Sequence, residues 1–520
     1  MAQSKKFEPL LFLIFVCLHL LPALSGRYFP TLDGPAHLYN SQLIIDLVFN
    51  NNTELTNYFV LNNEPVPNWM GHFILALFNY FLPAFIAEKI LIVAYVIALP
   101  YTFRKLVLQL NPEGALMSYL IFPFVYSFMF MLGFYNFSIA IVFSFLILRY
   151  WIKNDQKKKG FIQVVVLAFL LICLYFSHLV VFGITLLAIG IHILYGILIS
   201  KETVLNRINK GVKEVITIVL ASIFPLILGI NFYVKREAAS EVQFLSNKQL
   251  IQELTEMKFL DPSYSNYFFI FFLIFCFLTI FLIYKRMVFF LQQSRRTATS
   301  FFKKHDFWFI LAILMLVLYF KLPNMQGGAG YISLRMNHLF FIFWMLWLVC
   351  NHIPKLLSAG LILFVLYSSL VINNSHSKKS KLLSKDAVSI HKVAAYIPPG
   401  SIVLPINNSD HWIMEHFSNY LGIDEPLIVL DNYESTVNYF PIHFNHQDFP
   451  TIRIKGVENN VFNCVSWLSN PYSEKIVYAP YIMVYGQKIN TDCEEELLNI
   501  IKKTYCLAYR NEFVELYHIH

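Results

Sequence analysis

The sequence predicts an α-helical polytopic membrane protein with about eleven transmembrane helices and a C-terminal extracytoplasmic α/β domain. Composition is the first observation: 57% of the 520 residues are hydrophobic and only 14% are charged, whereas soluble globular chains have roughly 25% charged residues. The second is the recurrence of apolar runs of near-spanning length through residue 373. The third is a sharp change in composition after that residue, where apolar runs shorten to strand length.

Apolar runs define the predicted spans, because a helix that crosses a bilayer needs about 20 apolar residues. The N-terminal run follows Lys5 and Lys6 and is long enough to span, so a retained helix is favoured over a cleaved signal peptide. The eleven predicted spans are 7–25, 84–103, 115–132, 135–152, 161–177, 179–199, 215–234, 266–284, 307–320, 338–353 and 356–373.

Basic residues set the predicted topology, because short loops rich in Lys and Arg stay in the cytoplasm. All the basic clusters fall inside only if the apolar stretch 69–82 does not cross, so this stretch is predicted to lie as a helix at the outer interface. The first loop, 26–83, then lies outside. The clusters begin at Arg104, Lys153, Lys201 and Lys285. The net charge of +8 is concentrated in such loops and therefore does not indicate nucleic-acid binding.

Two domains are predicted: a transmembrane domain at 1–373 and an extracytoplasmic soluble α/β domain at 374–520. A polar linker at 375–381 would join them. Strands are expected at 402–404, 427–430 and 475–478, and a helix at 494–503. The seven cysteines lack CxxC spacing, so no metal centre is predicted from them. Cys493 and Cys506 could form a disulfide outside the cell.

The first outer loop holds the main candidate catalytic residue, Asp33. Gly34-Pro35 predicts a tight turn into a helix. Asp33 could therefore cap that helix, or it could act as a general base or support a metal together with His37. Glu64 lies further along the same loop in a proline-rich stretch, and its role stays open.

Other ionisable or polar candidates lie near the ends of predicted spans. Glu88 near the start of its span either pairs with Lys89 or faces the bundle interior as a functional group. Arg335, at the predicted outer face, can bind a phosphate through bidentate hydrogen bonds or contact lipid headgroups. Predicted topology puts six candidates at one membrane face, which suits a substrate with a polar head and a polyprenyl tail: Asp33, His37, Glu64, His178, Arg335 and His338. The remaining candidate is Asn136.

Four features resemble the C-type (GT-C) membrane glycosyltransferases, which include the protein O-mannosyltransferases and the lipid A aminoarabinose transferase. The resemblance covers the membrane part loosely and the first loop best. The features are an acid soon after the first span (Asp33), a proline-containing stretch before a juxtamembrane helix (64–69), the Ala87-Glu88-Lys89 entry to the next span, and an arginine before a late span (Arg335) followed by a soluble domain.

The resemblance implies a hexosyl- or pentosyltransferase that moves a sugar from a polyprenyl-phosphate donor to a glycan, lipid or protein acceptor at the outer face. Asp33 would activate the acceptor hydroxyl or support a metal, and Arg335 would hold the donor phosphate. His37, Glu64 and His178 would line the donor or acceptor pocket.

The chain also departs from the family pattern. Asp33 is followed by Gly34 instead of a second acid, and the second outer turn offers Asn136, which can bind a sugar hydroxyl but cannot act as a base. A hard divalent cation prefers several carboxylates. No cofactor is therefore firmly predicted, and Mg²⁺ or Mn²⁺ stays an open alternative.

Two other classes of function remain as alternatives. A transporter or flippase would place ionisable groups near the bilayer midplane and use repeats, whereas this sequence shows no repeat and carries its acids in outer loops. A non-catalytic partner in envelope polysaccharide assembly is the third interpretation. The expected location is the inner (plasma) membrane, in contact with membrane lipids.

Overall fold

A computed structural model describes most of the chain. Membrane-length helices dominate the first part and a mixed β-sheet organises the last part. The described residues are 2–154, 160–235, 242–256, 264–293, 301–326, 329–409, 411–437, 439–445, 452–457, 460–467, 478–486 and 499–520.

Eight helices in this described part are long and apolar enough to cross a membrane, so the protein is a multi-pass membrane protein. Each coincides with a predicted span. The longest has 42 residues, because its apolar half continues into a polar half without a helix breaker. It comprises the α-helix Lys355–His391 and the 3-10 helix Lys392–Tyr396 that follows directly. The candidate spans are Phe7–Leu24, Ala84–Leu110, Tyr135–Lys153, Leu179–Ile199, Val204–Lys235, Ser265–Gln292, Ile332–Val349 and Lys355–Tyr396.

The other three predicted spans form shorter apolar helices. Phe161–Ser177 has 17 residues and Phe307–Lys321 has 15, which gives lengths of roughly 25 and 22 Å at 1.5 Å per residue. The run at 115–132 divides into a 3-10 helix, Leu116–Phe124, and a short α-helix, Phe128–Met131. Pro123 lies near the break, where its missing N–H prevents a regular α-helix.

The stretch predicted to lie at the interface forms the helix Met70–Asn79. Its ten residues extend only about 15 Å, about half the thickness of a hydrocarbon core. Pro83 follows it, and the long helix Ala84–Leu110 begins directly afterwards. The prediction that this stretch does not cross the membrane therefore agrees with the length of the helix.

Contacts divide the chain into two compact units. The helical unit contains Met1–Leu20, Tyr95–Met129 and Asn136–His376. Its interior includes an ion pair between Arg286 and Asp306 at 2.7 Å, and the indole of Trp347 donates to the same carboxylate at 2.9 Å. The second unit, here called the mixed unit, contains Leu21–Ala94, Phe130–Tyr135 and Ser377–His520.

A five-stranded sheet organises the mixed unit. Its strands are β4 Ile402–Asn407, β5 Ile428–Val429, β9 Tyr481–Tyr485, β10 Tyr505–Arg510 and β11 Val514–Ile519. Their order in the sheet is β10-β11-β9-β4-β5, with β4 parallel to both of its neighbours and the remaining pairs antiparallel. Strands β4 and β5 confirm two of the expected strands, and all but one residue of the third, 475–478, lies outside the described residues. Two short strands, β2 Val242–Gln243 and β3 Met325–Gln326, pair with each other in the helical unit.

The first loop takes part in the mixed unit. Its strand β1, Phe59–Leu61, pairs antiparallel with β6, Ile442–Phe444, and the rings of Phe59 and Phe444 stack at 5.2 Å. A further hairpin pairs β7, Ile452–Val457, with β8, Asn460–Trp467. The first loop and the C-terminal chain thus share one compact unit, although more than 350 residues separate them in sequence.

The polar linker expected at 375–381 is wrong. A single helix, Lys355–His391, runs through it without a break. No glycine or proline occurs between Gly360 and Pro398, so nothing in the backbone stops the helix where the composition turns polar. The predicted helix 494–503 and the predicted disulfide partner Cys493 lie partly or wholly outside the described residues.

Candidate functional site

Asp33 lies at the start of the helix Gly34–Val48, with Pro35 in the first turn. Its side chain makes no capping hydrogen bond there. The Thr31 hydroxyl accepts from the Gly34 amide at 3.1 Å instead, so it performs the capping task and leaves the Asp33 carboxylate free for other contacts. Two backbone bonds hold this segment, from the Leu32 amide to the Met131 carbonyl and from the Asp33 amide to the Leu132 carbonyl.

The Asp33 carboxyl is buried, with only 7% of the residue exposed. Burial raises its pKa to about 6, and the nearby imidazoles of His416 and His37 limit that rise. The Tyr433 hydroxyl donates a hydrogen bond to it. A carboxylate with this pKa is mostly ionised at neutral pH and more basic than an ordinary aspartate, which are the properties a general base needs.

Gly133 fixes the chain beside Asp33. Its φ of +80° lies in the left-handed region that favours glycine. A Cβ atom there would lie 2.6 Å from the Asp33 amide nitrogen and 2.8 Å from the Asp33 Cβ. The Gly133 carbonyl also accepts from His37 Nε2 at 2.9 Å. Close packing at this turn therefore positions both Asp33 and His37.

His37, His72 and Glu434 form a buried triad. His37 Nδ1 lies 2.6 Å from Glu434 Oε1, and His72 Nε2 lies 2.8 Å from Glu434 Oε2. The two imidazole nitrogens lie 3.0 Å apart. Burial alone would raise the pKa of Glu434 and lower that of His37, but their mutual attraction reverses both shifts. The triad brings together three separate chain segments at one point.

His416 and Tyr433 complete the surroundings of Asp33. The His416 ring stacks on Tyr433 with centroids 4.5 Å apart, and its Nδ1 lies 3.5 Å from Asp431. Burial lowers the pKa of His416, but the neighbouring carboxylates, Asp431 foremost and Asp33 with it, together outweigh burial and raise the pKa to about 9. We call Asp33, His37, His72, His416, Tyr433 and Glu434 the Asp33 cluster; all six lie in the mixed unit.

Glu88 and Glu64, two further predicted site residues, also belong to the mixed unit but make none of the triad contacts described above. Glu88 is fully buried, and its carboxylate accepts from the Phe29 amide at 3.0 Å. Its neighbour Lys89 donates to the Gly26 carbonyl. Glu64 is exposed, and its backbone amide donates to the Asn62 side chain.

The other four predicted site residues belong to the helical unit. His178 and His338 both contact Phe137 edge-on, with ring centroids 5.3 and 5.9 Å away. Arg335 lies close enough to His178 for its charge to act on the imidazole. We call Phe137, His178, Arg335 and His338 the Phe137 group. Asn136 is buried at the residue before Phe137.

Sequence reasoning missed four members of the Asp33 cluster: His72, His416, Tyr433 and Glu434. The polar stretch 431–434 stands out in the sequence, but it reads as an exposed loop, whereas Glu434 is fully buried. His72 follows the proline-rich stretch and reads as part of an interfacial helix. The sequence offered no signal that the first loop and the C-terminal chain meet here, because His72 and Glu434 lie 362 residues apart.

Comparison with known proteins gives a fold but no sequence relative. No protein-family model matches the chain, and no curated protein matches it. ArnT from Cupriavidus metallidurans in the apo state is similar in structure, with a TM-score of 0.53, 11% identity, and 99% of this chain and 98% of that chain covered. ArnT bound to undecaprenyl phosphate gives a TM-score of 0.48, 10% identity, and coverages of 98% and 97%.

The likeness to apo ArnT extends over nearly the whole of both chains. The expectation drawn from the first loop and the order of elements is therefore confirmed at the level of fold. The chain therefore has a polytopic helical fold similar to that of apo ArnT.

Proposed function

We propose that the protein is an integral membrane glycosyltransferase that moves a sugar from a polyprenyl-phosphate donor to an acceptor hydroxyl at the outer membrane face. One observation carries the proposal: a buried, ionisable Asp33 surrounded by imidazoles and a tyrosine hydroxyl, in a chain with the ArnT-like fold. A buried carboxylate with a raised pKa and defined partners is typical of catalytic sites.

Asp33 is the proposed general base. Its carboxylate removes the proton from the acceptor hydroxyl as the hydroxyl oxygen attacks the anomeric carbon of the sugar. The bond between that carbon and the phosphate oxygen breaks, and polyprenyl phosphate leaves with the electron pair. The Tyr433 hydroxyl, which donates to Asp33, holds the carboxylate in one orientation. The protonated acid is then stabilised by burial, which favours the neutral form.

Arg335 is the proposed donor-phosphate ligand. Its guanidinium presents a planar fork that matches phosphate oxygens and never loses its charge near neutral pH. It lies in the first turn of the helix Ile332–Val349, where the backbone dipole also favours an anion. Negative charge grows on the leaving phosphate during transfer, so a fixed cation there lowers the barrier.

Several finer features belong to the same proposal. The transferred sugar is a hexose or a pentose, and the acceptor is a glycan, a lipid or a protein. The mixed unit faces the extracytoplasmic side of the inner (plasma) membrane, where the polyprenyl tail lies in the bilayer. His37, Glu64, Glu88, Asn136, His178 and His338 contribute to binding donor or acceptor.

The test is sugar transfer in proteoliposomes supplied with a panel of radiolabelled polyprenyl-phosphate hexoses and pentoses. Asp33→Asn is expected to lower the transfer rate about 10²- to 10⁴-fold, the usual contribution of a general base. Asp46→Asn is the matched control. It removes a second buried acid from the same helix, where Asp46 bonds to Gln42 and Asn50, and transfer should stay near the parent rate.

Equal transfer by Asp33→Asn and the parent would reject the general-base role. The same vesicles distinguish a transporter, because movement of the labelled lipid across the bilayer without any glycosylated product would reject the transferase. Both outcomes use the full chain and require no further variant.

A further inference from the structure

The His37–His72–Glu434 triad has a donor arrangement to which the proposed transfer mechanism assigns no chemical step. The sequence left Mg²⁺ or Mn²⁺ near Asp33 as an open alternative, and its cysteines indicated no metal centre. In the part of the chain that the structure describes, this triad is the one group of histidine, cysteine and acidic residues that brings three ligand atoms within 4.8 Å of one another.

Backbone carbonyls fix which nitrogen of each imidazole carries a proton. His37 Nε2 lies 2.9 Å from the Gly133 carbonyl oxygen, and His72 Nδ1 lies 3.1 Å from the Asn68 carbonyl oxygen. A carbonyl oxygen only accepts, so both of these nitrogens donate. In each neutral ring the opposite nitrogen, His37 Nδ1 or His72 Nε2, then presents a lone pair.

Those two lone pairs point toward the same carboxylate. The three pairwise distances among His37 Nδ1, His72 Nε2 and the nearer Glu434 oxygens are 3.0, 2.6 and 2.8 Å. Glu434 and His72 are fully buried and His37 nearly so. Three electron-rich groups that converge in a dry environment repel one another unless a proton on an imidazole or a metal ion lies between them.

The spacing is close to that of a tetrahedral metal site. Two ligands that each lie about 2.0–2.1 Å from a zinc ion are about 3.3 Å apart. The present distances of 2.6 to 3.0 Å therefore need to lengthen by only roughly 0.3 to 0.7 Å. The third ligand is oriented as well. Asn40 Nδ2 donates to Glu434 Oε2 at 2.5 Å, while Asn432 Nδ2 donates to Asn40 Oδ1 at 2.7 Å. Carbonyls on the distal nitrogens and an amide on the carboxylate are the outer partners that metal ligands commonly have.

We propose that His37, His72 and Glu434 bind a divalent transition metal, with Zn²⁺ as the best match. Two imidazoles and one carboxylate favour zinc over Mg²⁺ or Ca²⁺, which prefer oxygen ligands. Three protein ligands leave a fourth position for water or a substrate oxygen. The metal joins the helix Gly34–Val48, the helix Met70–Asn79 and the 3-10 helix Tyr433–Thr436, so it holds the first loop to the C-terminal chain.

The test measures metal binding directly and needs no sugar donor. Full-length protein in detergent is stripped with a chelator and titrated with Zn²⁺ by calorimetry, and the bound metal is counted by elemental analysis. We expect about one Zn²⁺ per chain. His72→Gln and Glu434→Gln should each weaken binding more than about 100-fold, beyond the loss typical of outer partners.

A surface pair provides the control. Cys506 Sγ lies 3.2 Å from His520 Nδ1, and such a pair can take up metal adventitiously. Cys506→Ser therefore serves as the background for every protein in the series and should keep the full Zn²⁺ stoichiometry. Loss of the metal in Cys506→Ser alone would assign it to the surface and overturn the proposal.

Two further outcomes keep the proposal falsifiable if the triad variants fold poorly. Stripped Cys506→Ser protein should bind Co²⁺ with the intense visible bands of a tetrahedral site, and Zn²⁺ should displace it. If this protein takes up no metal, the triad instead holds protons on its imidazoles and the proposal fails. Because the readout is metal content, its failure is distinguishable from failure of the proposed sugar transfer.

Discussion

The Asp33 cluster and the Phe137 group bury ionisable side chains in different ways. Imidazoles of the Asp33 cluster lie 2.6 to 3.5 Å from the carboxylates of Glu434 and of the neighbouring Asp431. In the Phe137 group, two imidazoles lie edge-on against one aromatic ring at 5.3 and 5.9 Å. The first arrangement depends on charges that compensate each other, whereas the second depends on the shape of packed rings and on one guanidinium.

This difference predicts which single substitutions should change stability and which should change kinetics. Removal of one partner from a buried ion pair leaves the other charge buried and uncompensated. The resulting loss of stability is far larger than the loss when an exposed ion pair is broken. Removal of a ring contact costs only packing. Stability effects should therefore concentrate in the Asp33 cluster, and the Phe137 group should reveal itself through its guanidinium, in the kinetics.

Glu434→Gln should have the largest effect on stability. It removes the carboxylate that His37 and His72 share, so it should lower the free energy of unfolding by about 3–5 kcal/mol. Unfolding in mixed micelles measures this value. Glu415→Gln is the control, because Glu415 is exposed in the same part of the chain and should change stability by less than about 0.5 kcal/mol. Equal stability of the two variants would contradict the compensation of charges in the cluster.

Arg335→Gln should have the largest kinetic effect in the Phe137 group. Loss of the phosphate ligand is expected to lower kcat/KM about 10²- to 10³-fold, as for other groups that stabilise charge in the transition state. Arg335→Lys keeps the charge but loses the planar fork, so its kcat/KM should lie between those of the parent protein and of Arg335→Gln. Lys321→Gln removes a cation from the end of another helix of this unit and should transfer sugar normally. Parent-like kinetics for Arg335→Gln would exclude the phosphate role.

Local patterns predicted the helices well because hydropathy and length act over neighbouring residues. All eight candidate spans coincide with predicted ones. The prediction failed where a long apolar run conceals a break, as near Pro123, and where a polar run lacks a helix breaker, as at 375–381. Hydrophobic composition indicates whether a segment is buried or exposed, whereas proline and glycine determine where a helix ends.

The candidate site was predictable only in part. Asp33 stands out because of its position after the first span, and His37 lies one helical turn beyond it. Glu434, which pairs with His37 and His72, could not be inferred, since nothing local relates it to His72, 362 positions earlier. The capping role that Asp33-Gly34-Pro35 suggests belongs to the Thr31 hydroxyl, a choice that only the three-dimensional turn determines.

His416 makes the stability of the mixed unit depend on pH. Its pKa is raised from about 6.5 to about 9 in the folded chain, so its stabilising effect is complete below pH 6.5 and is lost as pH rises toward 9. The loss is at most about 3 kcal/mol, and less because 26% of the Asp431 side chain is exposed. Thermal unfolding between pH 6 and 9.5 measures it.

His416→Gln should flatten this pH profile, because the titrating group is gone. His443→Gln is the matched control, since burial lowers the pKa of His443, so that this imidazole loses its charge at lower pH than His416 does. The control should therefore keep the slope of the parent protein. A parent-like slope in His416→Gln would show that another group causes the pH dependence.

Gly133→Ala tests how far backbone geometry supports the Asp33 cluster. A side chain at φ +80° costs roughly 1–3 kcal/mol. The new Cβ must also move the Asp33 backbone, because it would lie 2.6 Å from the Asp33 amide nitrogen. Gly190→Ala is the control: a Cβ there meets no described atom within 4 Å, and alanine favours a helix by up to about 1 kcal/mol. Unfolding and sugar transfer are measured on both. If the rate of sugar transfer falls by more than the fraction of folded protein does, the turn at Gly133 positions the base Asp33. If both fall by the same factor, Gly133 has only a structural role.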